Sequence, residues 1–541
     1  MKRAIKENYL FCILLLICGV YYGYRMFYLV PTYGELYTYL EYTNEGFKYS
    51  ATNGPLVYNH VLFTMLSSLL NFAGGYVALR GISWLAAMGT LILLYTFLKK
   101  AFSLRIAVFG CTVYSMLILI AELAVQGQGY SLGTFFLILA VFSVFNVIRG
   151  EVEPNYYKWF GIALWLGMYT LPSSIYWVVP VCISGYVVLL CKARIKDFFK
   201  LLVTTVVSAA LVILSYAVMW LNLGAMQIAA DPTSGYMKKN TFYLILEFPR
   251  TCLTRGFREM VETTEIYIIE DLELFVNDFK YLGRIVLKYF TGIESMAIWY
   301  VFLVGVILAF AVFVLSMVFK DKIQKYERDS YLFATALCSI GLVALFAFLY
   351  RMKIYPIAQE LSFFGVILVI MGCAFVALVS GWLQTIPGYA KVKPFMIILN
   401  IILILLTGWL FTTDRYQQEY SQTDCYAKDA IENIEMEQYS TYASCDAYVI
   451  RQIQFEYVVG KDMKLKEDKV TPDILILRKD VEFGSPMCVL TEEEVACFNL
   501  ERCKLIYENE IYLVYETMMT ELEIPEEVPK AAGIPEVMMK Y

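Results

Sequence analysis

The sequence predicts an all-α polytopic membrane protein that carries a small α/β or α+β domain towards its C-terminus. Two observations support this fold class. First, 59% of the 541 residues are hydrophobic and only 17% are charged, whereas a soluble domain carries about 25% charged residues. Second, apolar runs recur up to residue 412, and most are long enough to cross a hydrocarbon core about 30 Å thick. The net charge of -5 is small and indicates no nucleic-acid partner.

Hydropathy predicts about eleven transmembrane helices within residues 1–412. We expect the first of them to be uncleaved, because its apolar core is longer than that of a signal peptide and no small-residue cleavage site follows. The predicted spans are Tyr9–Leu29, Tyr76–Leu98, Leu104–Leu123, Tyr130–Val147, Trp159–Tyr169, Ile175–Leu190, Phe199–Leu221, Met296–Phe319, Tyr331–Tyr350, Leu361–Leu383 and Pro394–Phe411.

Basic residues predict how these spans are oriented in a cell membrane. With the N-terminus in the cytoplasm, each of five cytoplasmic loops carries lysine or arginine close to a span, which is the positive-inside pattern. The loop at 31–78, the connection at 222–294 and the chain after Thr412 then lie on the extracytoplasmic side. We expect the connection at 222–294 to hold interfacial helices or to form a lid, with a merely solvated loop as the alternative.

Residues 413–523 have the composition of a soluble extracytoplasmic domain. The apolar run after Asp473 predicts a buried strand, and Lys504–Glu516 predicts a hairpin that turns at Glu508–Glu510. A helical pattern surrounds Lys428–Glu437, and the proline-bearing tail at 524–541 is predicted to be loose. In an oxidising compartment, up to two disulfides could form within one set of cysteines. That set is Cys425, Cys445, Cys488, Cys497 and Cys503.

Acidic residues beside the membrane are the main candidates for chemistry. The chain has no Walker loop, no GxSxG or HExxH motif, no cysteine–histidine cluster and a single histidine. A carboxylate next to lipid can act as a general base or bind a divalent cation such as Mg²⁺ or Mn²⁺. The alternative for each acid taken alone is a loop residue whose charge is exposed to water and has no chemical role. The outward acids are Glu35, Glu41, Glu45, Glu122 and Glu360.

Five short motifs follow one another in the first third of the chain. They are Gly34-Glu35-Leu36-Tyr37, Asn59-His60-Val61-Leu62-Phe63, Leu79-Arg80-Gly81-Ile82-Ser83, Gln126-Gly-Gln-Gly-Tyr130 and Met168-Tyr-Thr-Leu-Pro172. In order, spacing and outward placement, this set resembles the GT-C glycosyltransferases of family 39, which include protein O-mannosyltransferases and lipid A aminoarabinose transferases. The resemblance covers Tyr9–Leu190 in motif detail, and the later spans and the C-terminal domain only in layout.

The resemblance implies a GT-C-like fold and an inverting sugar transfer from a polyprenyl-phosphate donor on the extracytoplasmic face. Glu35 would be the base, Glu122 a second acid, and His60 a residue that orients the acceptor, although a lone histidine is more often structural. The acceptor would be a protein, a lipid or a polysaccharide. The resemblance does not identify the transferred sugar.

The departing phosphate needs cationic hydrogen-bond donors. Arg80, Arg351 and Lys353 are the first candidates, and Arg250, Arg255 and Arg258 are the second choice. The alternative role for basic residues near span ends is snorkelling, in which the charged head extends to the lipid headgroups. The candidate contacts for the sugar or the acceptor are Tyr37, Asn59, Gln128 and Tyr130.

Two positions depart from the family pattern. Gly34 stands where the first acid of a pair is expected, and Gln128 stands where an arginine is expected. Glu35 would then take over the base role, or the protein would be an inactive partner in envelope assembly. A transporter or lipid flippase is the alternative outside the enzyme class, but it predicts charges deep inside spans, and these spans are almost free of charge.

Overall fold

The computed structural model describes residues 2–53, 59–151, 155–223, 284, 287–292, 325–352, 358–383, 395–481, 483–485, 487–498 and 500–517. The chain forms two compact units. The helical unit consists of Met1–Phe27, Gly46–Leu69 and Arg80–Gln418. The sheet unit consists of Tyr28–Glu45, Leu70–Leu79 and Glu419–Tyr541.

Eleven α-helices occupy the described part of the chain up to residue 223. They are α1 (Lys2–Tyr28), α2 (Tyr33–Thr38), α3 (Phe47–Thr52), α4 (Val61–Ser68), α5 (Gly75–Ala101), α6 (Leu104–Ser115), α7 (Ile118–Leu123), α8 (Tyr130–Arg149), α9 (Tyr156–Thr170), α10 (Ile175–Cys191) and α11 (Ile195–Leu223). Later helices of the helical unit are Lys325–Met352, Phe363–Leu383, Phe395–Leu410 and Asp414–Gln417.

Seven helices among the described residues are long and apolar enough to cross a membrane. They are Asn8–Tyr28, Gly75–Ala101, Tyr130–Arg149, Pro172–Cys191, Ile195–Met219, Arg328–Phe348 and Ala358–Ser380. Helices suit a bilayer because they satisfy their own backbone hydrogen bonds. The predicted class of polytopic helical membrane protein is therefore confirmed, whereas the predicted count of eleven spans is not. The span predicted at 296–319 lies outside the described residues, as do the helical patterns predicted between 242 and 279.

Several helices of the helical unit pack against one another. α9 packs against both α8 and α11, and the helix Lys325–Met352 packs against α10. The helices Phe363–Leu383 and Phe395–Leu410 both pack against α6. α8 also packs against α10 and against the helices Lys325–Met352 and Phe363–Leu383, and 83% of its candidate membrane-spanning window is buried.

The single span predicted at Leu104–Leu123 is wrong, because the structure divides it into α6 and α7. Leu117, between the two helices, adopts an extended conformation with ψ of 120°. The Tyr416 hydroxyl donates a hydrogen bond to the carbonyl oxygen of Met116, which lies at the break. A backbone group freed at a helix break needs such a partner in an apolar environment, so this contact stabilises the interruption.

Among the described residues of the sheet unit, five strands form one sheet in the order β2-β1-β3-β5-β4. They are β1 (Thr441–Ser444), β2 (Lys466–Glu467), β3 (Ile474–Arg478), β4 (Lys504–Glu508) and β5 (Tyr512–Glu516). β1 pairs in parallel with β2 and β3, whereas β5 runs antiparallel to β3 and β4. The strand after Asp473 and the hairpin are confirmed, and so is a small C-terminal sheet accompanied by helices, as the predicted α/β or α+β domain requires. The helix predicted near Lys428 spans Gln422–Glu432, and the unit also contains the short helices Ala447–Ile453 and Glu492–Cys497.

The first part of the opening loop belongs to the core of the sheet unit. Leu36 and Tyr39 share one hydrophobic cluster with Ile450, Ile453 and other residues of the C-terminal sequence. The Tyr448 hydroxyl donates a hydrogen bond of 2.7 Å to the buried Pro31 carbonyl oxygen. These contacts join residues that lie more than 400 positions apart in the sequence.

The disulfides considered for the sheet unit do not form in the structure. The five cysteines named above are all free. Cys445 is buried in a small apolar cluster of the sheet with Leu475 and Leu490, so it serves as a core residue.

We expect the substitution Tyr448→Phe to destabilise the sheet unit. The buried Pro31 carbonyl would lose its hydrogen-bond donor, which costs about 1–3 kcal/mol. Thermal unfolding of the purified chain, followed by circular dichroism, measures the loss. Tyr426→Phe is the matched control, because the Tyr426 hydroxyl bonds Glu510 in an exposed position. Equal melting temperatures for the two variants would contradict the prediction.

Candidate functional site

His60 is buried in the helical unit immediately before α4, with 3% of its surface exposed. Its Nδ1 accepts a hydrogen bond of 2.7 Å from the backbone N–H of Gly129. Its ring meets the Tyr130 ring edge-on, with 5.3 Å between centroids. Burial lowers the pKa of His60 to about 4. His60 is therefore neutral near pH 7, and its proton lies on Nε2 because Nδ1 is an acceptor.

Asn59 fixes the loop that leads into His60. Its Nδ2 donates to the carbonyl oxygens of Ser50 at 2.8 Å and Asn53 at 2.6 Å, and its Oδ1 accepts from the Thr64 hydroxyl at 2.7 Å. The amide thus bonds to protein groups on both of its polar atoms. This geometry indicates that Asn59 orients the histidine loop, whereas its predicted contact with a sugar stays a prediction.

Ser83 connects the motif of Arg80 to the motif of Tyr130. The Ser83 hydroxyl donates to the carbonyl oxygens of Gln126 at 2.5 Å and Gln128 at 3.2 Å. The Ser131 hydroxyl in turn donates to the Ser83 carbonyl at 3.0 Å. Backbone carbonyls rather than side chains receive the Ser83 bonds, so this contact orders the turn whatever residue occupies position 128.

Gly129 lies where three motifs meet. A Cβ at this position would lie 2.9 Å from Cγ2 of Thr170 and 3.1 Å from Cβ of His60. Thr170 belongs to the motif that ends at Pro172, so this motif also reaches the site. Four of the five sequence motifs therefore converge in the helical unit.

Two arginines lie near the C-terminal end of α1. Arg80 is fully buried and donates from Nη1 to the Met26 carbonyl at 3.1 Å. Arg25, which the sequence did not single out, is 2% exposed and donates from Nη2 to the Gln418 carbonyl at 3.0 Å. Burial of the Arg80 guanidinium argues against snorkelling, which would keep the charged head in water.

Glu122 is half-buried on α7, outside the long apolar helices. Burial raises the pKa of Glu122 to about 7, and the nearby positive charge of Arg25 opposes this rise. A carboxyl group with a pKa near the ambient pH can both accept and return a proton. Glu122 thus has the electrostatic properties of a general base.

Glu35 belongs to the sheet unit, where it caps α2. Its Oε2 accepts hydrogen bonds from the Thr32 amide at 2.9 Å and the Thr32 hydroxyl at 3.2 Å, and the residue is fully buried. These bonds form a capping box, which satisfies amides at a helix start. Burial also raises the pKa of nearby Asp424 to about 7, and the charges of Asp446 and Glu35 contribute to that rise.

Tyr37 is also buried in the sheet unit. The Arg451 guanidinium lies 4.9 Å from the centre of its ring, and Arg451 forms a 2.5 Å salt bridge with Glu41. A cation over an aromatic face is a stabilising contact. One face of the Tyr37 ring is therefore occupied by protein in this structure.

The remaining predicted residues are placed only in part. Arg351 lies on the helix Lys325–Met352, and its side chain is outside the described set. Lys353, Arg250, Arg255 and Arg258 lie outside the described residues. Within the described residues, no group of three or more histidine, cysteine, aspartate or glutamate side chains is arranged to hold a metal ion.

No family model and no curated protein matches this chain. Among solved structures, it is similar to the archaeal oligosaccharyltransferase AglB from Archaeoglobus fulgidus, in complex with an inhibitory peptide and a dolichol-phosphate. The identity is 10%, the TM-score is 0.42, and 88% of this chain and 70% of that chain are covered. It is also similar to ArnT from Cupriavidus metallidurans bound to undecaprenyl phosphate, at 13% identity and a TM-score of 0.38, covering 95% and 98%.

Both of these proteins are GT-C glycosyltransferases.

We expect His60 to make the helical unit sensitive to acid. Its folded pKa is below the unfolded value of 6.5, so the unfolded chain binds the proton first and stability falls as the pH drops from about 6.5 towards 4. The full loss is up to about 3 kcal/mol. Melting temperatures measured across this range for wild type and His60→Gln test this, since Gln can still accept from Gly129. Parallel curves for the two proteins would refute it.

Gly129→Ala should disturb the junction of motifs through overpacking. The new methyl group would collide with Thr170 and His60, which costs about 1–3 kcal/mol in a well-packed interior. Gly372→Ala is the control, because among the described residues no atom outside the surrounding helix backbone lies within 4 Å of a Cβ at that position. A fluorescence-detected melting curve should show a loss only for Gly129→Ala. An unchanged midpoint for that variant would mean that the junction is looser than described.

Proposed function

We propose that this protein is a membrane glycosyltransferase that transfers a sugar from a polyprenyl-phosphate donor to an acceptor on the extracytoplasmic face. The convergence of four motifs around Gly129 is the observation that carries this proposal. Residues 59–60, 83, 126–131 and 170 are far apart in the sequence, yet they contact one another in the helical unit. A set of motifs that only happened to resemble the family would have no reason to converge.

Arg80 and Arg25 are the cations that we assign to the donor phosphate. Arg25 is buried, and its Nε and Nη1 make no hydrogen bond to the described residues. A buried guanidinium that leaves N–H groups unbonded is costly, and a phosphate offers the acceptors that it lacks. Arg351, Lys353, Arg255 and Arg258 remain candidates for the same role.

Glu122 is the base that we favour over Glu35. A base must reach the acceptor hydroxyl and hold its proton near neutral pH. Glu122 is half-buried and has a pKa near 7, whereas Glu35 is fully buried and caps a helix. We assign a structural role to Glu35. It fixes the loop at 31–78, for which the family resemblance implied a catalytic role.

The reaction would run in one displacement. An acceptor hydroxyl attacks the anomeric carbon while its proton passes to the Glu122 carboxylate. The bond between the anomeric carbon and the phosphate oxygen breaks, and polyprenyl phosphate leaves with both electrons. The arginines stabilise the negative charge that develops on the phosphate. His60, which presents Nε2–H, orients the acceptor. Mg²⁺ or Mn²⁺ is not required by this scheme, and its role stays open.

The base assignment can be tested by comparing Glu122→Gln with Glu35→Gln. We expect Glu122→Gln to slow sugar transfer by about 10²–10⁴-fold, the usual contribution of a general base. Glu35→Gln should retain most activity, because glutamine also completes a capping box. Transfer from radiolabelled polyprenyl-phosphate sugars by purified protein is the measurement.

If Glu35→Gln slowed sugar transfer and Glu122→Gln did not, the base role would return to Glu35. Transfer that is equal in wild type and both variants would exclude both acids. Donor binding without transfer by the wild type would favour an inactive assembly protein, and absence of donor binding would favour a transporter.

A further inference from the structure

Residues Phe411–Gln418, which we call the anchor segment, form a compact turn at the end of the helical unit. The Tyr416 amide donates to the Thr413 carbonyl at 2.9 Å, and the Gln417 side-chain amide donates to the Phe411 carbonyl at 2.5 Å. The side chains of Phe411 and Tyr416 are both buried. The segment therefore holds its own shape and presents two aromatic residues to the rest of the unit.

The anchor segment is bound to α1 by two hydrogen bonds and a ring stack. The Tyr21 hydroxyl donates to the Tyr416 carbonyl at 2.6 Å, and Nη2 of Arg25 donates to the Gln418 carbonyl at 3.0 Å. The Tyr21 ring stacks on the Phe411 ring, with 3.9 Å between centroids and 9° between planes. Tyr21 and Arg25 are four residues apart, so they lie on one face of α1. The segment thus fixes the part of α1 that carries Arg25.

The same segment binds the break between α6 and α7. The Tyr416 hydroxyl donates a hydrogen bond to the Met116 carbonyl. Met116 is the C-cap residue of α6, and the next residue, Leu117, is the N-cap residue of α7. The bond therefore acts at the point where α7 begins. Glu122 lies on α7, one turn beyond its first residue.

We propose that Tyr416 is a positioning residue that holds Arg25 and Glu122 in a fixed relation through the anchor segment. Its carbonyl binds α1 and its hydroxyl binds the break, so one residue joins the two elements that carry these charges. The inference rests on the proposed function in one respect, namely that Glu122 is the base. A base and a phosphate-binding arginine act at opposite ends of one displacement, so a fixed separation between them favours the reaction.

The electrostatics of Glu122 agree with this arrangement. Arg25 and Tyr21 on α1 are groups that interact with its charge. α6 and α8 pack against α7, and their arginines, Arg105 and Arg149, lie at the ends of those helices away from α7. The other titratable residues of these two helices are Cys111, Tyr114 and Tyr130. The positive charge of Arg25 lowers the pKa of Glu122, against the larger effect of burial.

We expect Tyr416→Phe to raise the pH at which Glu122 loses its proton by about one unit. The variant keeps the buried ring and removes only the bond to Met116, so α7 and Arg25 are no longer held together. A carboxylate that loses a nearby cation has a higher pKa, by one unit or more. The infrared band of the protonated Glu122 carboxyl, identified by its absence in Glu122→Gln, gives the midpoint. The acid limb of the pH profile for sugar transfer should shift by the same amount.

Two further variants separate positioning from a general loss of packing. Tyr21→Phe removes the other bond of the anchor segment and should shift the midpoint in the same direction. The double variant should shift it by less than the sum, because either change alone frees the segment. Tyr186→Phe is the control, since it removes a hydrogen bond of 2.7 Å between the Tyr186 and Thr205 hydroxyls on α10 and α11. It should leave the midpoint unchanged.

An unchanged midpoint in both Tyr416→Phe and Tyr21→Phe would overturn the proposal, and so would an equal shift in Tyr186→Phe. A midpoint that moved downwards would also overturn it, because water would then have reached Glu122 without separation from Arg25. Fully additive shifts would show that the segment does not act as one unit. A shifted infrared midpoint in a protein without sugar transfer would refute only the enzyme. Transfer by a protein whose midpoint does not move would refute only the positioning role.

Discussion

The hydrogen bond from the Gly129 amide to Nδ1 of His60 holds the candidate site together. It is short, buried and formed by a neutral ring, so it survives only where water is excluded and the ring stays unprotonated. The absence of a side chain at Gly129 is what allows Thr170 and His60 to approach the same backbone. Motifs on α5 and α8 and on the segments before α4 and α10 are thereby fixed relative to one another.

Glu35 and Glu122, the two acids favoured by the sequence, have different environments. Their proposed roles follow from this difference more than from their positions in the sequence. Glu35 stabilises a helix start through its bonds to Thr32. Glu122 is placed by an interruption between two helices, near the positive charge of Arg25. A low dielectric raises the cost of the charged form, and a cation offsets that cost. The functional assignment therefore follows from solvation and neighbouring charge.

Much of the fold could be predicted from sequence, because long apolar runs and a strand–turn–strand pattern are local signals. The spans starting near Tyr130 and Tyr331 and the hairpin at Lys504–Glu516 are examples. The break at Leu117 could not be predicted, since the Tyr416 hydroxyl that stabilises it comes from 300 residues downstream. The candidate site was predicted as a set of residue types, but the partners of Asn59 and the burial of Arg25 depend on long-range packing that no local pattern encodes.

The contact between Pro31 and Tyr448 bears on how the protein is made. A ribosome adds about 5–20 residues per second, so roughly 20–80 seconds separate the synthesis of these two residues. Throughout that interval Leu36 and Tyr39 lack most of the apolar cluster that buries them in the finished sheet unit. The opening segment must therefore wait, outside its final core, for the end of the chain. Its short polar and charged stretches, such as Glu41 to Glu45, would help to keep it soluble during this delay.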